Sequence, residues 1–208
     1  MEIFSSNNIS QEPIVKINNW LKEALDQHVS LPHAMCLSTS DLSGKPSSRM
    51  VLLKSLSDEG LIFYTDYESK KGDLLNLNPF AALNFWWPAT DKQIRIQGIC
   101  KKTSKKQSDE YFYSRPRASQ ISATVSLQSK EISSYQELLK KAEKLEVSLK
   151  EKSVTRPKRW GGFLLIPKEI EFWTNEDNRL HKRELYSLPE EELGEKEQAI
   201  WTKTFLSP

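Results

Sequence analysis

Arg179, His181 and Arg183 occupy alternate positions in Arg179-Leu180-His181-Lys182-Arg183. In an extended chain they share one face, about 6.5 Å apart at each step. Each donates hydrogen bonds, and the two arginines carry permanent charge. Phe172 and Trp173 stand just upstream. A row of donors beside a large aromatic suits a flat, anionic ligand such as a phosphorylated ring. The same spacing also fits a solvated polar edge strand, and spacing alone leaves both readings open.

Further groups could serve the same chemistry. Tyr111 and Arg115 are four residues apart and share a helix face, and Ser119 follows just past Pro116. Tyrosine, arginine and serine donors converging at a helix end are what a phosphate monoester needs. Arg115 and Arg117 are equally able to anchor acidic side chains. Arg49-Met50-Val51-Leu52-Leu53-Lys54 begins and ends with a cation. In a regular strand Arg49 and Lys54 point to opposite faces, so one ligand would have to wrap the edge or use backbone groups. Tyr64-Thr65 closes a strand, and Ser69-Lys70-Lys71 opens a helix. Hydroxyls, lysines and free N–H groups there make either a phosphate site or an ordinary polar loop. Gln93, Arg95 and Gln97 alternate with Ile94 and Ile96, a half-buried strand with one polar face.

Other catalytic signatures are missing. The sequence has no glycine-rich phosphate loop and no Gly-x-Ser-x-Gly elbow. His28, His33 and His181 stand at no metal-binding spacing from Cys36 or Cys100, and His28 and His33 read as structural or surface residues.

The elements that must carry these groups follow from the pattern. Among 208 residues, 30 lysines and arginines balance 28 acids, a net charge of +2. That argues against a dedicated nucleic-acid binder. Two cysteines make no disulfide framework and fit a reducing, cytoplasmic setting. The first residues lack a signal-peptide pattern, and no apolar run nears the roughly 18 residues of a membrane span. A soluble intracellular protein is expected.

Residues 1–12 read as a mobile polar segment, and 13–208 as a single domain. Pro13 with Ile14, Ile17, Leu21 and Ala24 predicts a helix over 13–28. Strands are predicted at 33–40, 48–55, 61–65, 80–87, 93–102, 163–166, 170–174 and 199–206. Helices are predicted at 70–77, 104–114, 119–125 and 134–152, the last headed by a Ser134-x-x-Glu137 capping box. An acidic loop runs from Pro189. Strand spacing favours an antiparallel sheet or barrel over βαβ units, giving an α+β, mainly β fold: a β-barrel with surrounding helices.

In order along the chain, these segments resemble the pyridoxamine 5′-phosphate oxidase family. The matching pieces are Arg49 to Lys54, Phe63-Tyr64-Thr65, Ser69-Lys70-Lys71-Gly72, Gln93 to Gly98, Tyr111-Phe112, Ser114-Arg115-Pro116-Arg117, Ser119-Gln120-Ile121, Gln128-Ser129, Trp160-Gly161-Gly162, Ile170 to Trp173 and Arg179-Leu180-His181-x-Arg183. The resemblance covers about residues 13–186 and implies a split β-barrel homodimer with FMN at the interface. It implies that Arg49, Met50, Val51, Leu52, Leu53 and Lys54 hold FMN, with Tyr64, Thr65, Lys70 and Lys71. Gln93, Gln128, Ser129, Trp173 and Arg183 complete that set. Lys54, Tyr111, Arg115 and Ser119 would hold the substrate phosphate, and Arg179 and His181 would contact the substrate ring.

The implied reaction oxidises pyridoxamine or pyridoxine 5′-phosphate to pyridoxal 5′-phosphate. Hydride passes from substrate C4′ to flavin N5, and O2 reoxidises the flavin to give H2O2. Such chemistry needs no protein nucleophile or metal, in keeping with the missing signatures. Two alternatives share the scaffold: a phenazine-type FMN oxidase, and a non-catalytic flavin or pyridoxal-phosphate carrier. The chain departs from the family at several points. Lys70 stands where arginine is usual, and Ser122-Ala123-Thr124 replaces Gly-Ala-Trp. Phe205 replaces an arginine, the 189–195 loop is long and acidic, and nothing before Pro13 matches the substrate-covering segment.

Overall fold

A computed structural model describes residues 4–189 and 200–208. In chain order it contains β1 (Ser5–Ser6), α1 (Glu12–Asp26), β2 (Ala34–Ser40), β3 (Pro46–Leu52), β4 (Ser55–Ser57) and β5 (Gly60–Asp66). Then come α2 (Lys70–Leu77), β6 (Phe80–Trp87), β7 (Lys92–Lys102), α3 (Lys105–Ser114), α4 (Arg117–Val125) and α5 (Tyr135–Leu149). β8 (Trp160–Thr174), β9 (Lys182–Ser187) and β10 (Thr202–Leu206) complete it.

Alternation along β7 organises the sheet. Ile94 and Ile96 are fully buried, while Arg95 and Gln97 face outward. From β7 the sheet runs one way through β6 and β2 to β3, and the other way through β8 to β5, β4 and β1. β9 pairs with the C-terminal half of β8, and β10 with β9. The sheet curls into a half-barrel whose apolar side is closed by α1. Ile14, Ile17, Leu21 and Ala24 of α1 share one buried cluster with Leu37, Phe85, Ile94 and Ile170. Each buried isoleucine, leucine or phenylalanine there contributes about 2 kcal/mol by leaving water. A second cluster of Phe112, Ile121, Val154 and Trp160 lies with the helices α3 to α5.

The structure differs from the sequence pattern at several points. The predicted strand 48–55 is two elements, because the chain changes partner: β3 pairs with β2, and β4 with β5. Leu53 and Lys54 form the corner, their N–H groups donating to His33 and Ile62 carbonyls. The predicted pair 163–166 and 170–174 is one strand, β8. Pro167 is tolerated because the register slips between Gln97 and Gly98 opposite it. A Cβ on Gly98 would meet the Ile166 carbonyl oxygen at 2.1 Å, so the bulge requires glycine.

The row Arg179, His181, Arg183 is not one extended face. Asp177–Arg179 is a 3-10 turn, with Asn178 and Arg179 at left-handed φ of 56° and 62°. The strand starts only at Lys182. The N-terminal segment expected to be mobile carries its own hydrogen bonds. Ser5–Ser6 pairs in parallel with Ser55–Leu56, and Asp58 accepts from the Ser10 and Gln11 N–H groups at the start of α1. Half of the capping box before α5 forms: Ser134 accepts from the Glu137 N–H, and the Glu137 carboxylate turns to the Ser133 hydroxyl. The acidic loop lies outside the described residues from 190 onward. Among the described residues no helix is long and apolar enough to cross a membrane.

Candidate functional site

A cavity of about 360 Å³ opens between the edge of β3, the end of β5 and the helices α2 to α4. Three consecutive residues, Met50, Val51 and Leu52, bound it, so it meets the strand's edge rather than one face. Among the described residues β3 is the last strand in its direction, and its outer backbone groups meet no sheet partner there.

Lys71 sits on the cavity wall and is only 8% exposed. Ser69 caps α2, its hydroxyl accepting from the Gly72 N–H, which turns Lys71 back toward β5. The Lys71 ammonium donates to Thr65 Oγ1 at 3.1 Å, Gln128 Oε1 at 2.9 Å and Ser69 Oγ at 3.3 Å. All three acceptors are neutral. The nearby Asp66 carboxylate is paired with Arg159 at 3.1 Å. Burial, and then the like charge of Arg49, push Lys71 down to about 8. A buried ammonium held by neutral oxygens and repelled by an arginine is a place that an anion stabilises. The Arg49 guanidinium reaches Thr39 Oγ1 and Ser47 Oγ, both at 2.8 Å, and among the described residues it meets no carboxylate.

The opposite wall is aromatic and cationic. Tyr64 and Tyr111 stack with ring centroids 3.9 Å apart, and Trp160 continues the stack at 5.6 Å from Tyr64. The Arg115 guanidinium lies over Trp160 at 4.6 Å, and its buried Nη1 has no protein acceptor among the described residues. Lys54, from the corner between β3 and β4, lines the same cavity. Burial, and then Arg115, hold Lys54 below the ordinary lysine range. Burial lowers Arg115 as well. Burial pushes Tyr64 up to about 12 and raises Tyr111, so both phenols remain donors at neutral pH. An adjoining cavity of about 330 Å³ shares Lys54, Tyr64 and Tyr111, and Ser5 and Glu110 reach its wall.

A second cluster lies on the outer face of β7 to β9. Gln93, Trp173 and Arg183 are direct partners across three strands. The His181 ring is 4.6 Å from Trp173, and its Nδ1 accepts from the Glu176 N–H. The donor proton of a neutral His181 therefore sits on Nε2. Arg179 is exposed in the adjoining turn. Strand registers connect Met50, Cys36, Asn84, Arg95 and Glu171 in one row. Met50 and Glu171 are thus four strand spacings apart along the curled sheet, roughly 19 Å, and Gln93, Trp173 and Arg183 do not line the first cavity.

Of the residues singled out in the sequence, Met50 to Leu52, Lys54, Tyr64, Thr65, Lys71, Tyr111, Arg115 and Gln128 meet at the first cavity. Leu53 belongs to the main core. Lys70 is exposed beside Lys71, Ser129 is exposed with φ 70°, and Ser119 is half-buried on α4. Ser122, one turn on from Ser119, lines the cavity instead. Arg117 anchors Glu146 at 2.7 Å, one of the two alternatives open from sequence. Sequence reasoning gave no role to Trp160 or Glu171. A Trp before a Gly-Gly pair was the available signal for the first.

Comparison with known proteins agrees with this geometry. The model of the family described as Pyridoxamine 5′-phosphate oxidase matches residues 21–148. One described as Pyridoxine 5′-phosphate oxidase C-terminal dimerisation region matches 160–208. A pyridoxine/pyridoxamine 5′-phosphate oxidase of Legionella pneumophila is 46% identical over 179 residues, 86% of this chain and 83% of its own. That of Haemophilus influenzae is 41% identical over 206 residues, 99% of this chain and 94% of its own. Among solved structures, PhzG from Burkholderia lata, in complex with tetrahydrophenazine-1-carboxylic acid, superposes with TM-score 0.87 and 30% identity, covering 96% of this chain and 94% of that one. A pyridoxamine 5′-phosphate oxidase-related, FMN-binding protein from Nostoc punctiforme, at 17% identity and TM-score 0.68, shares the fold. The fold is therefore the FMN-binding split barrel, and the chain belongs to the pyridoxamine 5′-phosphate oxidase family.

Proposed function

We propose that this chain is an FMN-dependent oxidase that converts pyridoxamine or pyridoxine 5′-phosphate to pyridoxal 5′-phosphate. The observation that carries the reading is a single cavity lined by Lys71, Lys54 and Arg115, none of them in an ion pair among the described residues; Arg49 is close enough to depress Lys71, and the one carboxylate on the wall, Asp66, is paired with Arg159. Two phosphates, one of a cofactor and one of a substrate, are the matching charges. FMN fits the donor set: Arg49, Lys71, Thr65 and Gln128 would take its phosphate, and the edge of β3 offers backbone groups to the ring system. When bound, FMN supplies the hydride acceptor, at N5, and the route of electrons to O2, which leaves as H2O2.

The protein's own part is orientation and charge. Lys54, Arg115 and Tyr111 would grip the substrate phosphate, and Ser119 stands close in sequence at the start of α4. Tyr64, Tyr111 and Trp160 exclude water from that end. His181, with its Nε2 proton, and Arg179 would meet the substrate ring, while Trp173, Gln93 and Arg183 would meet FMN.

Gln93, Trp173, His181 and Arg183 do not line the cavity of their own chain, which favours a homodimer in which the partner subunit completes each site. The sheet face between the clusters is open, with Met50 62% and Trp86 47% exposed beside Asn84 and Arg95. That is the surface a second copy would cover. Two unpaired cysteines suit a reducing cytoplasm.

The likeness to PhzG favours one other reading, oxidation of a carboxylic acid in place of a phosphate ester. An anaerobic titration decides. Adding pyridoxamine 5′-phosphate to FMN-loaded protein should bleach the visible flavin absorption, and air should restore it. Tight binding of pyridoxal 5′-phosphate with no bleaching would instead mark a carrier. Bleaching by tetrahydrophenazine-1-carboxylic acid alone would mark the other oxidase.

A further inference from the structure

The geometry points to Glu171 as a positioning residue that sets the Arg183 guanidinium for the flavin. Glu171 is at the centre of the outer face of β7 to β9 and only 7% exposed. Its Oε1 accepts from Arg183 Nε at 2.7 Å, and its Oε2 from Arg95 Nη1 at 2.7 Å. Both carboxylate oxygens are thus committed to arginines on the two flanking strands. Arg183 is further held by the Ser207 carbonyl, which accepts from Nη1 at 2.9 Å. Among the described residues, Nη2 donates to no protein group. Two nitrogens fixed and one left over is the pattern of a guanidinium oriented in advance for an outside acceptor.

Register supports the same role. Trp173 lies directly opposite Arg183, and Glu171 is two residues before Trp173 on the same face. Arg183 is a flexible side chain whose free rotamers would otherwise be lost on binding. Holding it in place beforehand moves that cost into folding. Arg95 balances the second oxygen and has no neighbour of its own in the proposed site.

The inference rests on the reading of Arg183 as an FMN contact, and the experiment separates the two. FMN dissociation constants are measured by flavin fluorescence quenching on apo-protein of Arg183→Ala, Glu171→Gln, Glu171→Asp and Arg95→Met. Far-ultraviolet circular dichroism and the melting temperature of each apo-protein are recorded beside them. The expected result is about tenfold weaker FMN binding for Glu171→Gln, close to that of Arg183→Ala. Glu171→Asp should recover part of the loss, and Arg95→Met should bind FMN as the wild type does. In the double variant Arg183→Ala with Glu171→Gln, the second change should add little, which a merely structural effect would not reproduce. Unchanged FMN affinity in Arg183→Ala would overturn the underlying reading. Weakened binding in Arg183→Ala with wild-type binding in Glu171→Gln would overturn the positioning role alone. Additive losses in the double variant, or a loss in Arg95→Met equal to that in Glu171→Gln, would do the same.

Discussion

If each site draws its cavity from one chain and its β7 to β9 row from the other, damaged chains should repair one another. The perturbation is a pair of variants, Lys71→Met and Arg183→Ala, expressed separately and together. Lys71 makes three hydrogen bonds from a buried ammonium, and its replacement removes the charge facing the proposed cofactor phosphate. Charge-assisted bonds contribute about 1.5 to 3 kcal/mol each, so either variant alone should bind FMN roughly 10 to 100 times more weakly. In a hybrid dimer one site holds both lesions and the other holds neither. Random pairing makes about half the dimers hybrid, so about one quarter of all sites should be intact. The assay is flavin bound per chain after gel filtration, and oxidation of pyridoxamine 5′-phosphate per chain. Lys71→Met mixed with Arg115→Ala is the control, because both lesions lie in the same cavity and no hybrid site escapes. Activity of the first mixture no greater than the mean of its two parents would refute a site shared between two subunits. Recovery in the control mixture would refute it equally.

Lys71 also makes FMN binding depend on pH. Its folded value near 8 is below that of an unfolded lysine, so between those values the unfolded chain holds more protons and apo-protein stability rises with pH. A bound phosphate raises Lys71 again, so binding takes up a proton and FMN affinity should fall above pH 8, approaching about tenfold per unit. Calorimetry in buffers of different ionisation enthalpy reads that uptake, and Lys71→Arg should flatten the profile. Arg179→Ala and His181→Ala should lower turnover more than FMN retention, whereas Arg183→Ala should do the reverse; equal loss of FMN in all three ends that division. Asp58→Ala, which removes the acceptor for the Ser10 and Gln11 N–H groups, should cost about 1 kcal/mol in urea unfolding and leave FMN affinity unchanged.

Local pattern reached far in this chain. The helix at 70–77 and the strand at 80–87 fall where Ser69, Asn78-Pro79 and the apolar run place them. What pattern could not supply was anything set by a distant partner. Leu53 and Lys54 leave the strand because β4 finds β5 while β3 finds β2. Asp58 serves α1 from 47 residues away. The alternation Arg179, His181, Arg183 looked like one strand, yet consecutive left-handed residues at 178 and 179 turn Arg179 out of line. Helical spacing paired Tyr111 with Arg115, but Lys54 joined them only through the resemblance, since it lies on a sheet corner that the fold alone brings to that helix.

Net charge conceals the feature on which the proposed function depends. A balance of 30 bases against 28 acids would let nearly every cation find an anion. The fold does not distribute them that way. Glu184 takes Lys16, Lys182 and Lys203, and Glu171 takes Arg95 and Arg183. Asp66 takes Arg159, and Asp109 takes Arg156. Acids are thereby concentrated on the sheet face and around the helices. Lys54, Lys71 and Arg115 are left at the cavity, with Arg49 close enough to depress Lys71, and none of the four has an ion pair among the described residues. Burying such cations lowers stability unless something negative arrives. The cavity thus carries a folding cost that a bound dianion removes, and ligand binding should stabilise this chain by more than contact area alone would give. Inorganic phosphate is the simplest probe: it should raise the melting temperature of the apo-protein, and Lys71→Met together with Arg115→Ala should abolish the rise. A phosphate-induced rise that survives both substitutions would show that the cavity is not where the anion acts.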